Sequence, residues 1–140
     1  GPAAHVTVLA VLVAHMSGLP LNGQLAERGA RFLEATETAP NYRLYALQGG
    51  PPHRPGLLAM PGDGGKIALE LWAMPTARLG DFLTAIPPPL GLGTLRLSDG
   101  RTVTGFLVES AGVAGAEDIT ALGGWRAYLD RLTAAVPVPS

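Results

Sequence analysis

The chain contains no cysteine among its 140 residues, so disulfide bonds and thiolate metal sites are excluded. Only 15% of the residues are charged, and the formal net charge is -1. So few charges favour a domain that covers part of its surface with another domain or subunit. The ten lysines and arginines are scattered rather than striped along one face, so we expect no nucleic-acid partner.

Long apolar runs are absent as well. The most apolar stretch, residues 6–14, is far shorter than the roughly 20 residues that a membrane span needs, and no basic leader precedes it. We therefore expect no membrane partner and a cytoplasmic location. Gly1-Pro2 resembles the remnant of a protease cleavage site. We accordingly expect residues 1–4 to be such a remnant, residues 5–135 to form one domain, and residues 136–140 to be a frayed tail.

The stretch at residues 6–14 is rich in β-branched residues and predicts a strand covered on both faces. A polar loop follows it directly and carries His15, Ser17 and Gly18, and Asn22 is a plausible N-cap for the next helix. A buried strand is a rigid base for such a loop, so its carboxyl end is the first place to look for chemistry.

Further elements alternate between strands and helices. Strands are predicted at residues 33–39, 42–47 and 66–74, and Asp-Gly at 99–100 predicts a hairpin of residues 94–97 and 101–109. Helical segments are predicted at residues 23–32, 76–86 and 117–134, and residues 48–56 are predicted to be a loop. About six strands and three external helices indicate an α+β fold, built on a mixed sheet or a small closed barrel.

Four side chains are candidates for a site. His15 can serve as acid or base near neutral pH, or be a structural residue bonded to backbone. Glu70 lies in a predicted apolar strand, where it either pairs with a cation such as Arg43 or lines a cavity. Arg43 can bind a substrate carboxylate. Alternatively, Arg43 is solvated, and Tyr45 packs together with Tyr42.

Several kinds of site are excluded. The three histidines His5, His15 and His53 lack metal-ligand spacing, so we expect no metal site. No nucleophile elbow is present, and the glycines at 91 and 93 lack the spacing of a dinucleotide loop. These absences argue against a Ser-His-Asp triad and against a dinucleotide loop, and we expect no organic cofactor.

Five stretches together resemble the C-terminal domain of allophanate hydrolase, from the urea amidolyase pathway of urea degradation. They are A-H-M-S-G-L-P-L-N-G-Q-L at 14–25, A-P-N-Y-R-L-Y-A-L at 39–47, I-P-P-P-L-G-L-G-T-L at 86–95, L-S-D-G-R-T-V-T-G-F-L-V-E at 97–109, and A-G-A-E-D-I-T-A-L-G-G-W-R-A-Y-L at 114–129. The resemblance covers most of the chain.

That resemblance implies a partner and a reaction. In the family this domain follows a larger amidase domain, which deaminates allophanate to N-carboxycarbamate. The C-terminal domain then promotes decarboxylation of that small dianion, so that allophanate ends as ammonia and carbon dioxide. The family fold is similar to that of γ-glutamyl cyclotransferases. Their catalytic glutamate has no counterpart here, because residues 85–87 read Ala-Ile-Pro, so we expect no cyclotransferase activity.

Decarboxylation of a dianion requires a general acid and donors that hold the carboxylates. We expect His15 to be the acid, Ser17, Gly18 and Asn22 to hold one carboxylate, and Arg43 with Tyr45 to bind the other. Glu70 is expected to orient one of these groups. Two other functions stay open: a non-catalytic structural or homodimer-forming appendage of the amidase, and a separate small-molecule binding module.

Overall fold

The computed structural model describes residues 5–12, 20–49 and 54–135. Within them the chain forms eight strands and three α-helices. The strands are β1 Val6–Val11, β2 Arg31–Glu37, β3 Tyr42–Ala46, β4 Pro55–Ala59, β5 Ala68–Pro75, β6 Leu90–Arg96, β7 Thr102–Val108 and β8 Glu117–Asp118. The helices are α1 Pro20–Glu27, α2 Leu79–Thr84 and α3 Trp125–Ala135. No helix in these ranges has both the length and the hydropathy to cross a membrane.

The strands form two sheets. The larger has the order β2-β5-β1-β7-β6, and the smaller has the order β4-β3-β8. Strand β1 pairs antiparallel with β5 and parallel with β7, so the larger sheet is mixed. The α+β class and the mixed sheet are confirmed. The closed barrel that the sequence left open as an alternative is not formed by the described strands.

Two hydrophobic clusters lie on opposite faces of the larger sheet. The inter-sheet cluster fills the space between the two sheets and α3; its members include Ala10, Leu44, Leu69, Leu71 and Trp125. The helix-side cluster lies where α1 and α2 cover the sheet, and it consists of Leu9, Val11, Leu25, Trp72, Met74 and Phe82. Because successive side chains of a strand point to opposite faces, β1 and β5 contribute to both clusters.

Burial of β1 differs between its two halves. Leu9, Ala10 and Val11 are buried, as predicted for a strand covered on both faces. Val6 and Val8 are exposed, so the prediction is wrong for the first half of the strand. There Val8 lines an open groove of about 480 Å³ beside β7 instead of packing under a second layer.

Helix α1 begins and ends earlier than predicted. Pro20 occupies its first position, where proline's fixed φ suits a helix and its missing N–H loses no bond. Gly29 ends it with a φ of 77°, and Ala30 N–H donates to the Leu25 carbonyl across the turn. Asn22 is therefore inside the helix rather than its N-cap.

Two short strands were missed. Strand β4 lies partly in the predicted loop, because Pro55 starts it at a position where a strand tolerates proline. Glu117 and Asp118, predicted to begin a helix, form β8 instead and pair with Ala46 and Tyr45. By contrast, the predicted hairpin is confirmed: β6 and β7 pair along their length, and Gly100 turns the chain at a φ of 92°.

Candidate active site

The loop predicted to carry the chemistry is only partly described. His15, Ser17 and Gly18 lie outside the described residues, so their roles stay predictions. Asn22 lies in the first turn of α1, directly after that loop. The described chain borders the loop on one side with β1, whose last residue is Val11, and on the other with α1.

Glu70 lies near the middle of β5, and its side chain is 4% exposed. Its neighbours Leu69 and Leu71 both belong to the inter-sheet cluster, so Glu70 points to the opposite face, toward the helix-side cluster. An ionised carboxylate in such a place needs hydrogen-bond or charge partners, because its desolvation is otherwise too costly. The sequence correctly predicted that this carboxylate lies among apolar neighbours.

The indole of Trp72 supplies one of those partners. Its Nε1–H donates a hydrogen bond of 3.1 Å to Oε1 of Glu70. Only Leu71 lies between Glu70 and Trp72 along β5, so both side chains lie on one face of the strand. The Trp72 ring and the Phe32 ring of β2 pack edge to face, at a centroid distance of 5.8 Å and an interplanar angle of 76°.

Strand register relates Glu70 to the undescribed loop. Glu70 pairs with Val11 of β1 and with Ala35 of β2. Val11 is the last residue of β1 and precedes His15 by four positions in the chain. The buried carboxylate therefore lies beside the strand end from which the predicted catalytic loop leaves.

Arg43 is held by two aspartates. Its Nη1 donates to Asp118 Oδ2 at 2.8 Å, and its Nη2 donates to Asp63 Oδ1 at 2.9 Å. Its Nε–H also donates to the Asp63 carbonyl. Hydrogen bonds to Asp63 and then to Asp118 raise the pKa of the Arg43 guanidinium. The partners of Arg43 are these two aspartates and not Glu70, so the alternative that Arg43 pairs with Glu70 is wrong.

Asp118 has further partners. Desolvation favours its neutral form, but hydrogen bonds from the side chain and backbone of Thr120, and from Arg43, outweigh it and lower the pKa of Asp118. The Thr120 hydroxyl donates to Asp118 Oδ1 at 2.6 Å and accepts a hydrogen bond from the backbone N–H of Leu44. This arrangement ties β3 to the segment after β8.

Arg43 and Tyr45 face away from Glu70. They alternate along β3 with Tyr42, Leu44 and Ala46, all of which belong to the inter-sheet cluster. Their side chains therefore leave the smaller sheet on its outer face. Glu70 lies beyond the inter-sheet cluster, on the other face of the larger sheet. The structure thus separates two groups that the sequence analysis placed in one site.

Sequence reasoning missed Trp72, Asp63 and Asp118. A signal for Trp72 was present, since Glu-Leu-Trp at 70–72 places acid and indole on the same face of any strand. The aspartates reach Arg43 from 20 and 75 positions away along the chain, so local sequence held no signal for them. Within the described ranges, no group of three metal-ligating side chains is close enough to hold an ion.

This chain is similar to several known proteins. The family model described as "Allophanate hydrolase C-terminal domain" matches residues 7–130. The urea amidolyases of Lachancea kluyveri and Saccharomyces cerevisiae are 41% and 40% identical over 128 residues. That alignment covers 89% of this chain and 7% of each relative, so the chain spans a small part of their length.

Several solved structures are also similar to this chain. Kluyveromyces lactis allophanate hydrolase is 40% identical with a TM-score of 0.86, over 91% of this chain and 22% of that one. A uropathogenic Escherichia coli protein is 33% identical with a TM-score of 0.82, over 90% of this chain and 97% of that one. A γ-glutamyl cyclotransferase, 13% identical with a TM-score of 0.58 over 97% of this chain and 91% of that one, shares the fold alone. The predicted cyclotransferase-like fold is confirmed.

Proposed function

Because this chain belongs to the allophanate hydrolase C-terminal domain family, we propose that it promotes decarboxylation of N-carboxycarbamate. In this reaction the C–N bond to one carboxylate breaks, carbon dioxide leaves, and a proton reaches the nitrogen to give carbamate. Carbamate then breaks down to ammonia and a second carbon dioxide. The step needs proton delivery and charge stabilisation, and the proposal uses neither metal nor organic cofactor.

The observation that carries the proposal is the buried carboxylate of Glu70 beside the end of β1. A carboxylate inside an apolar layer is costly unless it is paired. An imidazolium that leaves the same strand end is a suitable partner. We assign His15 as the acid that protonates nitrogen and Glu70 as the group that orients it. Ser17, Gly18 and Asn22 are assigned to one substrate carboxylate.

Arg43 and Tyr45 are left out of this assignment. The guanidinium donates to Asp63 and Asp118, and both side chains leave the smaller sheet on the face opposite Glu70. Their predicted role in substrate binding therefore has no support from the described geometry, and it stays a prediction.

We also propose that an amidase supplies the substrate, within the same full-length chain or as a separate chain, in the cytoplasm. Support for the first arrangement comes from the relatives called allophanate hydrolase and urea amidolyase, of which this chain matches 22% and 7%. Support for the second comes from the Escherichia coli protein, which this chain covers almost completely. Because the two chains are of similar length, the Escherichia coli protein also supports testing this chain by itself.

A non-catalytic role is the second candidate. Val6 and Phe32 are 51% and 44% exposed, and exposed apolar side chains suit a surface that contacts another copy or domain.

Binding of malonate, an analogue of the dianion, distinguishes the catalytic role from the structural one. Chemical-shift changes on adding malonate, confined to residues around β1, Glu70 and α1, would favour catalysis; no binding would favour the structural role.

The catalytic proposal is tested by mixing the chain with an amidase that deaminates carbon-13-labelled allophanate. The chain is expected to speed the release of carbon dioxide beyond the rate with amidase alone. His15→Ala is expected to lower that gain by about a hundredfold, because it removes the general acid. His5→Ala is the matched control and is expected to have no effect, since His5 is exposed. Wild-type chain that gives no gain would overturn the proposal.

A further inference from the structure

We infer that Trp72 is a positioning residue that fixes the carboxylate of Glu70 for the reaction, an inference that rests on the proposed function. The geometry is a hydrogen bond of 3.1 Å between two side chains that are 6% and 4% exposed. Because a carboxylate rotates about its last bond, a donor on one oxygen determines where the second oxygen lies. Trp72 thereby acts through Glu70 and not on the substrate.

Packing alone does not call for an indole at this position. The helix-side cluster is otherwise built from leucine, valine, methionine and phenylalanine side chains, and a phenylalanine at 72 would serve the same contacts. What tryptophan adds is one N–H donor, and a buried indole N–H needs an acceptor. Here that acceptor is the carboxylate that the proposed function uses.

The indole is itself held in place from two sides. Strand β5 lies between β2 and β1, and Trp72 pairs with Phe32 on one side and with Leu9 on the other. The Phe32 ring meets the indole edge to face, and Leu9 is fully buried. On the Leu9 side the indole cannot turn its N–H away without moving buried neighbours, which are closely packed. Phe32 is 44% exposed, so on its side the restraint comes from the ring contact.

The donor is also well matched to a buried carboxylate. An indole N–H carries no charge, so it fixes Oε1 without neutralising the carboxylate. An arginine or lysine at this place would bring a positive charge against it. Trp72 therefore orients the carboxylate through one oxygen without placing a second charge beside it. This orientation of the carboxylate is what Trp72 adds to the proposed site.

The test replaces Trp72 with phenylalanine, which keeps an aromatic ring and removes the donor. Trp125→Phe is the matched control, because it makes the same change in the inter-sheet cluster. Trp72→Phe is expected to lower kcat for carbon dioxide release by about tenfold with little change in KM, since substrate contacts are retained. Trp125→Phe is expected to leave kcat unchanged.

A double-mutant cycle shows whether Trp72 acts through Glu70. Glu70→Gln alone is expected to lower kcat more than Trp72→Phe does, and the double variant is expected to be no slower than Glu70→Gln. Independent, multiplying losses would mean that Trp72 acts structurally, which would overturn the inference and leave the proposed function standing. An unchanged kcat in Glu70→Gln would instead overturn the role proposed for Glu70.

The chain's two tryptophans allow a readout that does not depend on activity. Each indole N–H gives one proton–nitrogen NMR signal, and a hydrogen bond to a carboxylate moves that proton downfield. Glu70→Gln is expected to move the Trp72 signal upfield and leave the Trp125 signal in place. A Trp72 signal that stays unchanged would show that the bond is not made in solution, and the inference would fail.

Discussion

Two carboxylates of this protein, Glu70 and Asp118, are held in opposite ways. Glu70 is buried under the helix-side cluster and accepts a hydrogen bond from a neutral indole. Asp118 is on the outer side of the smaller sheet, where it bonds to Thr120 and to the Arg43 guanidinium. An exposed carboxylate gains little from an ion pair because water screens it. A buried carboxylate has little water around it, so its stability depends on every hydrogen bond it makes. A carboxylate held in this way suits a functional site.

The largest expected effect on stability comes from removing a large side chain from the helix-side cluster, toward which Glu70 points. Phe82 is fully buried in the helix-side cluster and contacts the Phe106 ring at a centroid distance of 5.6 Å. Phe82→Ala is expected to lower the free energy of unfolding by about 3–5 kcal/mol, as for other large-to-small core changes. Urea denaturation measures it. Leu83→Ala, at a half-exposed position of the same helix, is the control, and equal losses would contradict the assignment of the cluster.

A smaller loss of stability is expected when the Glu70 carboxylate itself is removed. Glu70→Ala leaves the Trp72 indole without this acceptor, and a buried donor left unpaired costs about 1–3 kcal/mol. Glu70→Gln keeps an acceptor oxygen, so it is expected to lose less stability while still losing activity. Comparison of both variants by urea denaturation checks this ordering. If Glu70→Ala were as stable as the wild type, the contrast with Asp118 would disappear.

The smallest effect on stability is expected from a substitution at Asp118, and this effect depends on pH. Because the pKa of Asp118 is lowered in the folded protein, the carboxylate contributes stability above its ordinary pKa of about 4. That contribution is lost as pH falls through the lower folded value. Asp118→Asn is therefore expected to flatten the acid limb of the stability curve. Urea midpoints between about pH 5 and pH 2, at low and high salt, measure the change; an identical acid limb would contradict it.

Local signals in the sequence predicted the parts that form locally. Asp99-Gly100 predicted the hairpin because its turn needs only neighbouring residues, and the β-branched run predicted β1. Strand β8 was missed because Glu117 and Asp118 owe their extended form to pairing with β3, far away in the chain. The same distance explains why Asp63 and Asp118 were not foreseen as partners of Arg43.

For a related reason, the sequence could predict the setting of Glu70 but not whether Arg43 lies near it. Glu70 was identified because a charge within an apolar strand is visible in the sequence. Whether Arg43 shares a site with it depends on which way β3 faces, and alternation alone leaves that choice open. Only the packing of Leu44 into the inter-sheet cluster decides it.

The central place of β1 also bears on how this protein folds. Both strands that pair with it, β5 and β7, lie far downstream, and the parallel partner ends at residue 108. During synthesis the first strand therefore emerges long before its neighbours exist, and an unpaired apolar strand is prone to associate with other chains. We expect the larger sheet to form only after β7 has left the ribosome, and to form slowly because its decisive pairings are long-range.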